Sequence, residues 1–162
     1  MHNARERQFS FLNTPLSIKL IFNGLRMKNA SEKNKTMNFL GIDHPALAAD
    51  DVEKLSDWYC AVLGYERWFK HPKPVWMLKA PDGTLLEIMP KDDTSRQPRT
   101  TWTPGWSHLA LRVENIEAAI VYLDGHKIVW GGDVVEAIGG GKVRNCFDIE
   151  GNMLQILERH YL

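Results

Sequence analysis

Two histidines, a glutamate and a glutamine stand at matched positions in this 162-residue chain. His44 in GIDHPALAAD and His108 in GWSHLALRVEN each follow a glycine by three residues and open an apolar run. Glu87 in GTLLEIMP and Gln155 in GNMLQILER each follow a glycine by four. Imidazole and carboxylate can carry protons, and all four side chains offer lone pairs. Gln155 is the most demanding of them. A primary amide among Met153, Leu154, Ile156 and Leu157 must find partners or cost about 1–3 kcal/mol.

The elements that would carry these residues are also written twice. Asp51 and Asn115, each seven positions after its histidine, are helix-capping types followed by helical periodicity. The first helix is expected to bury Val52, Leu55, Tyr59, Val62 and Leu63 and to stop at Gly64. The second is expected to bury Ile116, Ala119, Ile120 and Leu123 and to stop near Gly125. Three β-rich runs follow each helix: YERWFK, VWMLKA and TLLEIMP, then KIVWGGDVVEA, KVRNCFDI and NMLQILER. Asp82-Gly83 and Glu150-Gly151 mark the tight turn before each closing strand. The order strand, helix, three strands thus predicts one module over 37–90, a linker over 91–103 and a second module over 104–162.

Alternation along a strand sorts side chains to opposite faces. His44, Ala46 and Ala48 share a face, as do His108, Ala110 and Arg112; Leu85, Glu87 and Met89 share one, as do Met153, Gln155 and Leu157. The other faces, with Leu47, Leu86, Ile88, Leu109, Leu111, Val113, Leu154 and Ile156, are apolar and belong under the helices. The four polar residues therefore point away from the helices. Alanines beside the histidines leave volume there, which predicts a cavity.

With 44% apolar and 25% charged residues, the composition is that of an ordinary soluble globular protein. Residues 1–36 carry seven Lys/Arg against two Glu, and the remainder thirteen against eighteen. A mildly acidic body gives no electrostatic footprint for nucleic acid, and no stretch is long and apolar enough for a bilayer span. Cys60 and Cys146 lack metal-site or C-x-x-C spacing, so the simpler reading is two reduced thiols and a cytoplasmic protein, with a single disulfide the alternative. Residues 1–36 read as a transit-like leader, a flexible tail or a start placed too far upstream.

On GIDHPALAADDVEKLSDWYCAVLGYE, PDGTLLEIMP, WSHLALRVENIEAAIVYL and DIEGNMLQILE, residues 38–158 resemble the vicinal oxygen chelate superfamily. That superfamily includes glyoxalase I, methylmalonyl-CoA epimerase, fosfomycin-resistance proteins, extradiol dioxygenases and bleomycin-binding proteins. The resemblance implies an α+β fold of two βαβββ modules forming a cupped, barrel-like mixed sheet with helices on the outside. It further implies one divalent metal ion held by His44, Glu87, His108 and Gln155, and a homodimer. Imidazoles with hard oxygens suit zinc, nickel, cobalt, manganese or iron, and Gln155 would bind through its carbonyl oxygen.

The function so implied is glyoxalase I-like: isomerisation, epimerisation or lyase chemistry on a small carbonyl or hydroxycarbonyl substrate, with Glu87 as catalytic base. An amide at 155 cannot act as a second base, so Glu87 would move the proton alone or with a water. The alternatives are other chemistry of the superfamily, either ring cleavage with oxygen or thiol transfer to an antibiotic, and non-catalytic drug binding. Arg112 could pair with a substrate anion, and Trp68 and Trp76 could wall an aromatic pocket. AIGGGKV lacks the first glycine and the Ser/Thr of a phosphate loop and reads as a glycine-rich hairpin bordering the pocket.

Overall fold

Each helix begins where a side chain closes its first turn. Asp51 accepts a hydrogen bond from the Lys54 N–H at 3.0 Å, and the helix α1 runs over Val52–Leu63 until Gly64 leaves it at φ 71°. Asn115 accepts from the Ala118 N–H at 2.7 Å and starts α2, Ile116–Gly125. The computed structural model describes residues 41–160, so the leader expected over 1–36 lies outside the described residues.

Around these helices run β1 (Ala46–Ala49), β2 (Glu66–His71), β3 (Val75–Lys79), β4 (Leu85–Pro90), β5 (Leu109–Val113), β6 (Val129–Trp130), β7 (Val135–Glu136), β8 (Lys142–Phe147) and β9 (Met153–Glu158). They form two mixed sheets. The first has the order β1-β4-β3-β2, and the second β5-β9-β8-β6 with β7 also on β8. The first and last strands of each module pair in parallel, and the rest pair antiparallel. The α+β class expected from sequence is observed, but the sheets are cupped and do not close into a barrel.

One expected strand, KIVWGGDVVEA, is broken. Val129–Trp130 pairs with one end of β8 and Val135–Glu136 with the other, leaving Gly131–Val134 between them. Paired glycines there weaken a strand interior. The glycine-rich hairpin lies between β7 and β8, where Gly141 has φ 89° and a Cβ added to it would stand 2.0 Å from the Glu158 carbonyl oxygen. Only glycine fits that approach.

Two apolar clusters hold the modules. Leu55, Tyr59, Leu78, Leu86 and Ile88 form one; Ile116, Leu123, Cys146, Leu154 and Ile156 form the other. Burial alternates strictly along β9, with Leu154, Ile156 and Glu158 buried and Met153, Gln155 and Leu157 only half-buried. The helix α1 contributes to both clusters: Val62 belongs to the second, where Trp58 and Leu63 also pack. The Tyr59 hydroxyl donates to buried Asp148 at 3.2 Å, and the Asp50 and Asp51 N–H groups donate to the Glu150 carboxylate at 2.9 Å each. By contrast, the N-terminus of α2 is satisfied from its own module, by Glu158 accepting from the Ile116 N–H at 2.7 Å. Both cysteines are free.

Candidate metal and substrate site

The two parallel strand pairs have the same register. Ala46 pairs with Glu87 and Ala110 with Gln155, and each histidine lies two residues before its alanine. Both histidines precede the formal strand, yet in the first module the ladder continues past it, since the Glu87 N–H donates to the Pro45 carbonyl at 3.0 Å. Pairing and alternation thus put each histidine on the same face as the oxygen donor of its own sheet.

In the first module the pair is closed. His44 Nε2 lies 3.2 Å from Glu87 Oε2, while His44 Nδ1 lies 2.6 Å from Asp43 Oδ1. Asp43 is the largest influence raising the His44 pKa; burial opposes it, and the Glu87 hydrogen bond and charge add to the rise. Carboxylates accept, so the imidazole donates from Nδ1 to Asp43 and from Nε2 to Glu87. A metal ion at Nε2 would take the place of that second proton while Asp43 keeps the ring oriented.

The second module is arranged differently. His108 Nδ1 is 3.1 Å from Ser107 Oγ, and the histidine borders an open depression of about 380 Å³ with Gly105, Trp106 and Ser107. Gln155 lines a separate hollow of about 230 Å³ with Gly131, Gly132, Asp133, Val135, Val143 and Asn145.

The two half-sets do not meet within one chain. Among the described residues, no three His, Cys, Asp or Glu side chains are grouped as a metal site would require. The physical reason is the placement of α1: it packs on the faces carrying Leu86 and Ile88 and reaches those carrying Leu154 and Ile156. Glu87 and Gln155 stand on the opposite faces, turned away from the helix the sheets share.

One aromatic expectation needs correction. Trp76 pairs with Ile88, on the face under α1, and its Nε1 donates to Glu53 at 2.9 Å with Arg67 and Lys70 against its ring. It cannot wall a pocket on the Glu87 face. Trp68 is the extra residue of a bulge between Arg67 and Phe69, which shifts the alternation of β2. The bulge brings Phe69 to the Glu87 face, paired with Met77, which pairs in turn with Glu87. Sequence reading missed Phe69, because a bulge leaves no mark in the alternation. Arg112 is exposed on the open face and lies outside the hollow; it is a minor influence lowering the Asp82 pKa, behind the Thr84 N–H that Asp82 accepts.

The family model described as Glyoxalase/Bleomycin resistance protein/Dioxygenase superfamily matches residues 41–156. No curated protein matches the chain. Among solved structures, the glyoxalase family protein from Enterococcus faecalis is 28% identical, with a TM-score of 0.65 over 75% of this chain and 100% of that one. A glyoxylase/bleomycin resistance protein/dioxygenase domain from Frankia sp. EAN1pec is 16% identical, with a TM-score of 0.62 over 76% and 95%. Lactoylglutathione lyase from Agrobacterium tumefaciens is 19% identical, with a TM-score of 0.57 over 75% and 96%. The last two are likenesses of fold alone. Among the described residues, no helix is long and apolar enough to cross a membrane.

Proposed function

We propose that this chain, which belongs to the Glyoxalase/Bleomycin resistance protein/Dioxygenase superfamily, is a metal-dependent enzyme acting on a small carbonyl or hydroxycarbonyl substrate. The reaction is of isomerase, epimerase or lyase type. The observation that carries this reading is the convergence of His44 Nε2 and Glu87 Oε2 on an open sheet face, with Asp43 behind the imidazole. His44, Glu87, His108 and Gln155 would hold one divalent ion, and their imidazole and oxygen donors fit zinc, nickel, cobalt, manganese or iron. When bound, such an ion supplies Lewis-acid polarisation of substrate oxygens.

Glu87 is the proton carrier in this reading. Its carboxylate takes a proton from the carbon next to the substrate carbonyl and returns it to the neighbouring position. Gln155, at the same register in the other sheet, holds and orients but cannot accept a proton. One carboxylate therefore serves both transfers on a single face of the substrate, which favours isomerisation over epimerisation.

Because the half-sets face away from the shared helix, a complete set needs a second copy of the chain: His44 and Glu87 of one copy meet His108 and Gln155 of the other. The test uses the His44→Ala and His108→Ala chains, purified separately and then mixed after mild unfolding and refolding with metal. Each alone should hold far less than one ion per chain, measured by plasma mass spectrometry, and the mixture should regain about a quarter of the sites. No regain on mixing, with the native chain loaded as a monomer, would sink the shared site. Absence of metal uptake by the native chain would sink the enzyme reading and favour simple ligand binding. In Glu87→Gln, turnover should be lost while metal is retained.

A further inference from the structure

The register that relates Glu87 to Gln155 extends to their neighbours. Met77 pairs with Glu87, and Asn145 pairs with Gln155. Phe69 pairs with Met77, and the Gly131 N–H donates to the Asn145 carbonyl at 2.8 Å. Beside the proposed metal, then, one sheet presents Met77 and Phe69, and the other presents Asn145 under a glycine. One side is an apolar wall. Its counterpart is a polar recess.

The recess is a built feature. A Cβ at Gly131 would lie 3.1 Å from Asn145 Cβ and 3.2 Å from the Phe147 ring, so glycine keeps the space over Asn145 free. The rim at Gly132 is braced from behind: Arg144 Nε donates to its carbonyl at 2.9 Å, the guanidinium lies 4.1 Å over the Trp130 ring, and Trp130 Nε1 donates to Asp124 at 2.7 Å. Val143 and Val135 line the hollow with the amides of Asn145 and Gln155, and Asp133 is its one charged lining residue. A carboxylate at the rim disfavours an anionic ligand, and an amide offers both a donor and an acceptor.

We propose that the hollow beside Gln155 is a specificity subsite for an uncharged, hydrogen-bonding arm of the substrate, bound by Asn145, while Phe69 and Met77 cover a hydrocarbon arm. The substrate is then a neutral oxygenated carbonyl compound with one hydroxylated or amide-bearing end and one apolar end. Acyl phosphates, carboxylate-terminated chains and peptide thiol adducts are disfavoured. The assignment deepens the chelate reading and rests on it for the joining of the two walls.

Three probes test it: α-hydroxyketones with a benzyl group on the carbinol carbon and a three-carbon chain on the carbonyl carbon, ending in methyl, hydroxyl or carboxylate. Binding to the full chain loaded with zinc is followed by calorimetry, with metal content measured on every sample. The hydroxyl probe should bind about tenfold tighter than the methyl probe. Asn145→Leu should erase that difference and leave the methyl probe unchanged; Asp133→Asn should improve only the carboxylate probe, about fivefold. Phe69→Ala should weaken all three alike. Equal binding of hydroxyl and methyl probes by a metal-loaded native chain, equal losses of both in Asn145→Leu, or no binding of any probe would overturn the subsite. A chain that takes up no metal yet still discriminates the hydroxyl probe through Asn145 would sustain the subsite and overturn the chelate.

Discussion

The two open faces share one register and differ in what they can do. On the first, imidazole and carboxylate are in contact, and an exposed Asp43 braces the imidazole from outside. On the second, the amide of Gln155 borders a hollow, and His108 sits apart against a serine. A duplicated scaffold has thus kept its backbone pairing while its halves diverged in chemistry. The contacting imidazole and carboxylate lie on one sheet, and the hollow on the other.

The largest break in this comparison should come at the donors themselves. Glu87→Ala is expected to lower metal affinity by more than the roughly 10–100-fold typical of losing an outer-shell partner, and Asp43→Ala by about tenfold. Gln155→Ala should fall between them, because a neutral amide holds a cation less strongly than a carboxylate. Competition against a chromophoric chelator reads all three. Equal losses at Glu87 and Gln155 would mean that the faces contribute alike.

Next in size is the contrast between the hairpins. In the second module, Gly141→Ala would drive a Cβ into the Glu158 carbonyl at a positive φ, and should cost at least about 2 kcal/mol in urea unfolding. The corresponding turn of the first module carries exposed Pro72 and Pro74, where replacement by alanine should cost no more than about 1 kcal/mol.

The smallest effect separates the two thiols. Burial pushes Cys146 up to about 11 from an ordinary value near 9, while half-buried Cys60 is also raised, chiefly by burial. The folded chain therefore keeps the Cys146 proton at a pH where the unfolded chain has lost it, so stability is full below about pH 9 and declines as the pH rises toward 11. The decline should be about 1 kcal/mol between pH 8 and 10, measured by urea titration, and Cys146→Ala should flatten it. A slope unchanged in that variant would assign the alkaline loss elsewhere, first to Tyr59, whose hydroxyl is also raised by burial.

Much of the site was legible because its signals are local. The capping residues Asp51 and Asn115, the stripe of α1 and the alternation of β4 and β9 follow from neighbours along the chain, and alternation alone put Glu87 and Gln155 on the faces away from the helices. What was not legible depends on pairing. The side of Trp76 is set by its register with Ile88, and the position of Phe69 by a bulge. The hollow exists because two short strands share β8 with a gap between them. Nor does any local pattern reveal that Val62 turns toward Leu154 and Ile156, which is what keeps the half-sites of one chain apart.

That shared helix also sets a timetable for synthesis. The hydrogen bond from Tyr59 spans 89 positions, so α1 leaves the ribosome long before Asp148 and the second cluster exist. At roughly 5–20 residues per second, the side of α1 bearing Trp58 and Val62 waits about 5–20 s for its cover. During that interval the nascent first module exposes a sticky helix, an expected binding point for chaperones.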